Sequence, residues 1–296
     1  MAVINFSTVQ NGSKLKLGGD TLVFDGGISA ADVSIAELAG GVQLSVGAKS
    51  VLLRNWEIGN LNSAQVTFNN GSELLVGDTL FALAGDNNGN MLEPFFPGNP
   101  TRDQLRGMGG DDELRGGAGN DLLFGQGGDD TLYGDGDEDW LDGGKGNDTL
   151  FGGTDKDVLK GFAGDDTLIG GEHADRLDGG KGADTFRITA AESPSAAGAY
   201  DKVVEFVSGS DIFDLDLAGS EENYIEKRLK TNDFADALDK AVELLALNEG
   251  LKDYVFIAGN TKGWLFGEFT DDTTPDLAIE IVNGHALGKL DFADIV

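Results

Sequence analysis

Nine contiguous nine-residue repeats, running from Gly107 to Arg187, constrain this chain more than any other feature. Position one is always Gly: Gly107, Gly116, Gly125, Gly134, Gly143, Gly152, Gly161, Gly170 and Gly179. Position six is always Asp: Asp112, Asp121, Asp130, Asp139, Asp148, Asp157, Asp166, Asp175 and Asp184. Position eight is apolar throughout, from Leu114 to Phe186. Gly recurs at position two in Gly117, Gly144, Gly153 and Gly171, and at position four in Gly110, Gly119, Gly128, Gly146 and Gly164. The Gly-rich half of each repeat predicts a tight turn, because glycine admits positive φ and close backbone approach. Positions seven to nine predict a strand too short to stand alone. Alternation sends residue eight inward, so the repeats fold only by stacking on one another.

The turns also select a metal chemistry. Uncovered glycine carbonyls and one carboxylate per turn are hard oxygen donors. Calcium takes roughly six to eight such ligands in flexible geometry, whereas metals that prefer sulfur or imidazole would not select them. Residues 107–187 carry 20 Asp and Glu against 7 Lys and Arg, a net of −13, with little apolar material. A chain of that composition stays disordered unaided. Its folding free energy is therefore expected to come from the cation. A flexible Gly-Asp linker would have no reason to hold three positions in register through nine repeats.

At 296 residues there is room for two or three domains. A formal charge of −31 argues against nucleic acid or an anionic membrane surface as partner, since both would repel it. No apolar run approaches the roughly 18 residues of a spanning helix. The segment Met1–Thr8 lacks a basic region followed by an apolar core, so no cleaved secretory signal is expected there. Cysteine is absent, which excludes thiol catalysis, disulfides and cysteine-ligated metals.

Pro94, Pro97 and Pro100 mark a boundary before the repeats, and Ala191–Gly198 marks one after them. Gly98 to Arg106 has Gly first, Asp103 sixth and Leu105 eighth, and reads as a degenerate tenth repeat that caps the stack. Strands are expected at 21–25, 42–46, 50–54, 64–68 and 72–76, with Asn70-Gly71 as a hairpin turn between the last two. After the repeats, 232–247 is an amphipathic helix with Phe234, Leu238, Ala241, Val242 and Leu245 on its core face. Strand-like stretches follow at 253–257 and 276–282, then an acidic-apolar tail.

The repeat resembles the calcium-binding nonapeptide of RTX proteins, the haemolysin-type repeat of bacterial type I secretion substrates. Residues 22–78, through Phe24–Val33 and Val51–Trp56, resemble the haemolysin-type calcium-binding-protein-related domain that accompanies such repeats. Tyr200–Leu217 resembles the segment that closes the β-roll of serralysin-type proteases, with Asp211, Asp214 and Asp216 as further ligands or as solvated turn carboxylates. The resemblance implies that two repeats make one coil, with calcium held between turns i and i+2 by two position-six Asp and by carbonyls near positions one to four. It further implies seven stacked pairs, from Asp112 with Asp130 to Asp166 with Asp184, hence about seven ions. Asp137, Asp155 and His173 replace the position-four Gly and are expected to weaken their sites, with His173 facing solvent rather than metal.

Catalytic motifs are missing. There is no His-Glu-x-x-His and no Gly-x-Ser-x-Gly, and His285 reads as a turn residue. Asp135–Asp139 begins like an EF-hand loop, but Trp140 and Gly146 stand where its Gly and bidentate Glu belong. The expected fold is all-β dominated: a right-handed parallel β-roll over 98–190, an N-terminal β domain and Pro-rich linker over 1–97, and a C-terminal β-rich cap with one or two helices and a type I secretion signal over 191–296. The expected function is that of a secreted, noncatalytic calcium-binding protein acting as an extracellular or cell-surface binding or structural module. Expected partners are the type I secretion apparatus and extracellular polysaccharide or a cell-surface component. The alternative is an extracellular hydrolase or toxin-like effector with a carboxylate site in the flanking domains. Outward aromatics at Phe124, Tyr133, Trp140 and Phe151 are expected to be covered by a flanking domain.

Overall fold

The structure is a computed structural model. It describes residues 3–5, 13–15, 21–24, 33–38, 41–46, 49–54, 66–68, 74–76, 91–92, 100, 102–189, 199–215, 224–228, 233–246, 254–258, 262–267, 275–282 and 294–295. Two compact units, Met1–Gly143 and Gly144–Val296, divide the chain inside the repeat array.

In the first unit, β1 (Val3–Asn5), β2 (Ser13–Leu15), β3 (Thr21–Phe24), β4 (Ser34–Leu38), β5 (Gly41–Val46), β6 (Lys49–Arg54) and β7 (Val66–Phe68) form two small sheets. Their orders are β1-β3-β7, all parallel, and β2-β6-β5-β4, in which β4, β5 and β6 make an antiparallel meander. The next strands, β8 (Leu74–Val76) and β9 (Met91–Leu92), leave these sheets and pair in parallel with β10 (Gln104–Arg106) and β11 (Glu113–Ala118). The hairpin expected at Asn70-Gly71 is thus not made: β7 joins β3 and β8 joins β10, while the two turn residues lie outside the described ones. The open end of a parallel stack exposes a row of unpaired backbone N–H and C=O groups, and β8 covers it. The side-chain amide of Gln104 donates to Val33 O at 3.3 Å, tying the meander's entry to the first stacked strand.

The repeats obey one rule in both units. β12 (Leu122–Gly127) pairs in parallel with β10, and β13 (Thr131–Gly136) with β11, so each of these strands meets the strand two repeats away. β14 (Trp140–Lys145) runs across the division between the units. In the second unit, β15 (Thr149–Thr154), β17 (Thr167–Glu172) and β19 (Thr185–Arg187) form one parallel sheet, and β16 (Val158–Ala163) and β18 (Arg176–Lys181) belong to another. Position eight is fully buried in every repeat, and Leu105 of the degenerate one likewise. In register it stacks Leu114 on Leu132, Leu150 on Leu168 and Leu168 on Phe186.

The stack continues beyond the last repeat. β20 (Asp201–Val204) pairs with β18, and β21 (Ile212–Asp214) pairs with β19, both in parallel. β22 (Tyr224–Arg228), β23 (Tyr254–Ala258), β24 (Lys262–Gly267) and β25 (Leu277–Val282) then extend the β18–β20 sheet in the order β20-β25-β24-β23-β22. Helix α1 (Phe234–Ala246) starts at Asp233, whose carboxylate accepts from the backbone N–H of Ala235 at 2.9 Å. Its buried residues Ala237, Ala241 and Leu245 pack on Val255, Ile257, Trp264, Phe266 and Ala278, with Phe234 and Leu238 at the margin. Core packing is therefore the role of this face, with Ala237 added and Val242 only half-buried. Glu280, also buried, meets Lys262 at 2.7 Å and Lys202 at 3.6 Å.

Leu150 is fully buried in the stack, so Leu150→Ala removes core volume that neighbouring coils cannot refill. It should cost about 2–5 kcal/mol, read as a lower urea midpoint at saturating calcium.

Candidate metal centre

Every position-six Asp is buried, with exposures of 1 to 4 % from Asp112 to Asp184. Their Oδ1 atoms form a ladder. Asp121 accepts from the backbone N–H of Asp103 at 2.7 Å, Asp130 from that of Asp112 at 2.8 Å and Asp139 from that of Asp121 at 2.7 Å. In the second unit Asp166, Asp175 and Asp184 accept likewise from Asp148, Asp157 and Asp166, at 2.8, 2.8 and 3.0 Å. One oxygen of each of these six carboxylates thus welds a coil to the preceding one. The other, Oδ2, accepts no hydrogen bond in any of the nine.

Position one explains its glycine here. A Cβ on Gly116 would lie 2.7 Å from Asp121 Oδ2 and 2.9 Å from the carbonyl of Gly134, one coil on. The same pair of oxygens, from the repeat's own Asp and the next coil's position-one carbonyl, crowds the corresponding point at Gly125, Gly152 and Gly161. Glycine therefore leaves a cradle in which carboxylate and carbonyl oxygens converge. An all-oxygen, negatively charged donor set with a coordinating atom unused by hydrogen bonding fits a hard divalent cation such as calcium. Asp112, Asp121, Asp130, Asp139, Asp148, Asp157, Asp166, Asp175 and Asp184 would hold it with the turn carbonyls.

Positions two and four serve differently: both have positive φ in all nine repeats, whatever the residue. At position four, Gly128 and Gly164 also lie so close to the carbonyls of Gly110 and Gly146 that no Cβ fits. Asp137, Asp155 and His173 keep the same left-handed backbone, with φ of 71°, 73° and 86°. Two of the side chains are put to use. Asp137 Oδ2 accepts from the N–H of Gly119 at 3.2 Å, and His173 Nδ1 accepts from the N–H of Asp155 at 3.3 Å. His173 is exposed, and its ring caps a neighbouring turn.

Beyond the repeats the ladder gains two further rungs. Asp201 accepts from Asp175 N–H at 2.9 Å, and Asp211 from Asp184 N–H at 3.2 Å. Asp211 was legible as a candidate, but Asp201 was missed. Its signal is Asp201 followed two residues later by the fully buried Val203, which pairs with Leu177. Asp214 instead meets Arg187 at 3.6 Å on the surface, and Asp216 and His285 lie outside the described residues.

Burial without a cation raises the carboxylates' affinity for protons. Desolvation pushes Asp121 up to about 8 and Asp130 and Asp184 up to about 7. The ladder N–H opposes this shift, and the stacked neighbouring carboxylate adds to it. The cation-free fold therefore binds more protons than the unfolded chain above pH 3.8, so its stability falls as pH rises through the folded values.

The fold and its donors define a parallel β-roll built to hold divalent cations between coils. The profile of the RTX calcium-binding nonapeptide repeat matches four times, over residues 97–132, 116–150, 124–159 and 151–186, and across that segment the chain is an RTX repeat protein. Two solved structures are similar to it, both from the Azotobacter vinelandii mannuronan C5-epimerase. The AlgE6R3 subunit is 25% identical, covering 54% of this chain and 78% of that one, with a TM-score of 0.37. The AlgE6R2 subunit is 22% identical, covering 63% and 87%, with a TM-score of 0.30. No curated protein matches.

Three expectations come from this geometry. In chelator, circular dichroism should show more β-structure at pH 5 than at pH 8; in calcium the order should reverse, because protons compete for the same oxygens. Phe162, exposed and held at a φ of 74°, should be improved by Phe162→Gly. The expected gain is about 1 kcal/mol in calcium-loaded urea unfolding, from relieved left-handed strain. Gly161→Ala, whose methyl would meet Asp166 Oδ2 and the carbonyl of Gly179, should cost about 2 kcal/mol in the same assay.

Proposed function

We propose that this chain is a secreted, noncatalytic calcium-binding protein that folds on meeting calcium outside the cell and acts there as a binding or structural module. The observation that carries this reading is the ladder of nine buried carboxylates, one per repeat. Carboxylates buried in a stack need either protons or metal, and near neutral pH in a calcium-rich medium metal is the better partner. Extracellular calcium modules work at roughly 10⁻⁴–10⁻³ M, far above the free calcium of a cytosol. The roll would stay extended inside the cell, a state suited to passage through a type I secretion apparatus, and would close outside. Extracellular polysaccharide or a cell-surface component is the partner class proposed for the folded protein. No helix among the described residues is long and apolar enough to cross a membrane.

Circular dichroism tests the first step: residues 98–217 should be disordered in chelator and gain β-structure at millimolar calcium, and a fully folded roll in chelator at pH 8 would overturn it. Export is tested by expression beside a type I exporter, where retention of the full chain in the cytosol would remove secretion from the reading. A purified protein that holds glycans without cleaving them supports a binding module, whereas released sugar or peptide would favour an effector enzyme.

A further inference from the structure

The last turn of the roll is built unlike those before it. Where a further repeat would place its glycines, residues 207–211 form a turn closed by the N–H groups of Ser210 and Asp211, both donating to Val207 O, at 3.0 and 2.8 Å. Asp211 is buried and uses both oxygens on backbone: Oδ1 accepts from Asp184 N–H at 3.2 Å and Oδ2 from Val207 N–H at 2.8 Å. The Ser210 hydroxyl donates to the carbonyl of Gly182 at 2.7 Å, the position-four carbonyl of the last repeat. Backbone N–H groups thus occupy, on Asp211, the role that Oδ2 leaves open in the nine repeats.

This turn is gripped from far along the chain. Asp294, itself buried, accepts from the Ser208 hydroxyl at 2.6 Å and from the Gly209 N–H at 2.9 Å, where φ is 80°. Ile295, equally buried, bridges in parallel to Phe213, the residue that continues the inward column after Phe186. Phe213 stacks on Phe206 with ring centroids 4.5 Å apart and leans on Phe186 at 5.9 Å. One carboxylate and one main-chain bridge therefore fix the closing turn and its strand together.

We propose that 207–211 is a cation-free closing turn and that Asp294 and Ile295 are its latch, so that calcium binding by the last repeats depends on residues more than a hundred positions beyond them. The hydrogen-bonded turn gives Asp184 its coil-to-coil partner without metal, and the latch keeps that partner in register when the repeats are empty. The proposal rests on calcium-driven folding of the roll, and its failure is distinguishable. If calcium does not fold the unsubstituted chain, the function proposed above fails; if it does, the latch is tested on its own.

The test compares the full chain with Asp294→Ala, Ser208→Ala and the double variant, by calcium titration and by hydrogen exchange at saturating calcium. Asp294→Ala should raise the calcium midpoint about twofold, a modest shift because the lost interactions are shared among several ions bound together. Amide protection should fall at 182–187 and 207–214 while 103–127 keeps its own. Ser208→Ala should shift the midpoint in the same direction, and the double variant should shift it less than the sum, since the two share one hydrogen bond. An unchanged midpoint, a uniform loss of protection along the chain, or strictly additive shifts would overturn the latch.

Discussion

Nine carboxylates are buried to within 4 % of full enclosure, and each stands in register with the one eighteen residues away. Their desolvation, to which repulsion between stacked neighbours adds, is the constraint to which the rest of the roll answers. In six of the carboxylates one oxygen is satisfied locally, by a neighbouring coil's N–H. The other oxygen requires a proton or a cation, which makes the stability of the fold a function of the medium. Glycine at position one keeps room beside that second oxygen, and left-handed backbone at positions two and four turns the carbonyls of the turn around it.

The apolar contribution is thin by design. One inward side chain per repeat gives a column of leucines ending in Phe186, Phe213 and Phe206, and only after β20 does a broad core appear. There the sheet changes character: β25 and β24 bring near-continuous burial, and α1 covers one face around Trp264 and Tyr200. This cap needs no cation to account for its packing. The N-terminal side of the stack is closed differently, by single short strands, β8 and β9, laid against β10 and β11. The two sheets therefore end on short strands, β8 and β9 at one side and β21 and β22 at the other, and short edge strands offer little to an incoming chain.

Much of this was legible in the residues. The strict period gave the turns, the inward column and the oxygen donors, because nothing but stacking satisfies a three-residue strand with one apolar side chain. The helix at 234–246 followed from its stripe, down to Ala241 and Leu245. What escaped lacked period. Asp201 sits in a stretch with no glycine pattern, so an Asp two residues before an apolar Val does not stand out until its pairing with Asp175 makes it another rung. The pair Asn70-Gly71 carried a local hairpin signal, yet β8 lies along β10 at the edge of the stack while β7 joins β3, pairings with distant strands that a local signal does not register. The contact of Asp294 with Ser208 spans 86 residues, a separation at which sequence pattern says nothing.

The two rows of turns are not interchangeable. Alternate repeats place Gly110, Gly128, Gly146, Gly164 and Gly182 at position four, while the others place Gly119, Asp137, Asp155 and His173 there. On the first row the coils approach until no side chain fits; on the second, side chains reach between coils. A gain or loss of nine residues would exchange the rows for everything downstream, setting Asp or His against backbone that tolerates only glycine. Eighteen residues, one full coil, is then the smallest change in length that keeps each side chain on its own edge, so such a roll can lengthen or shorten over evolutionary time only in whole coils.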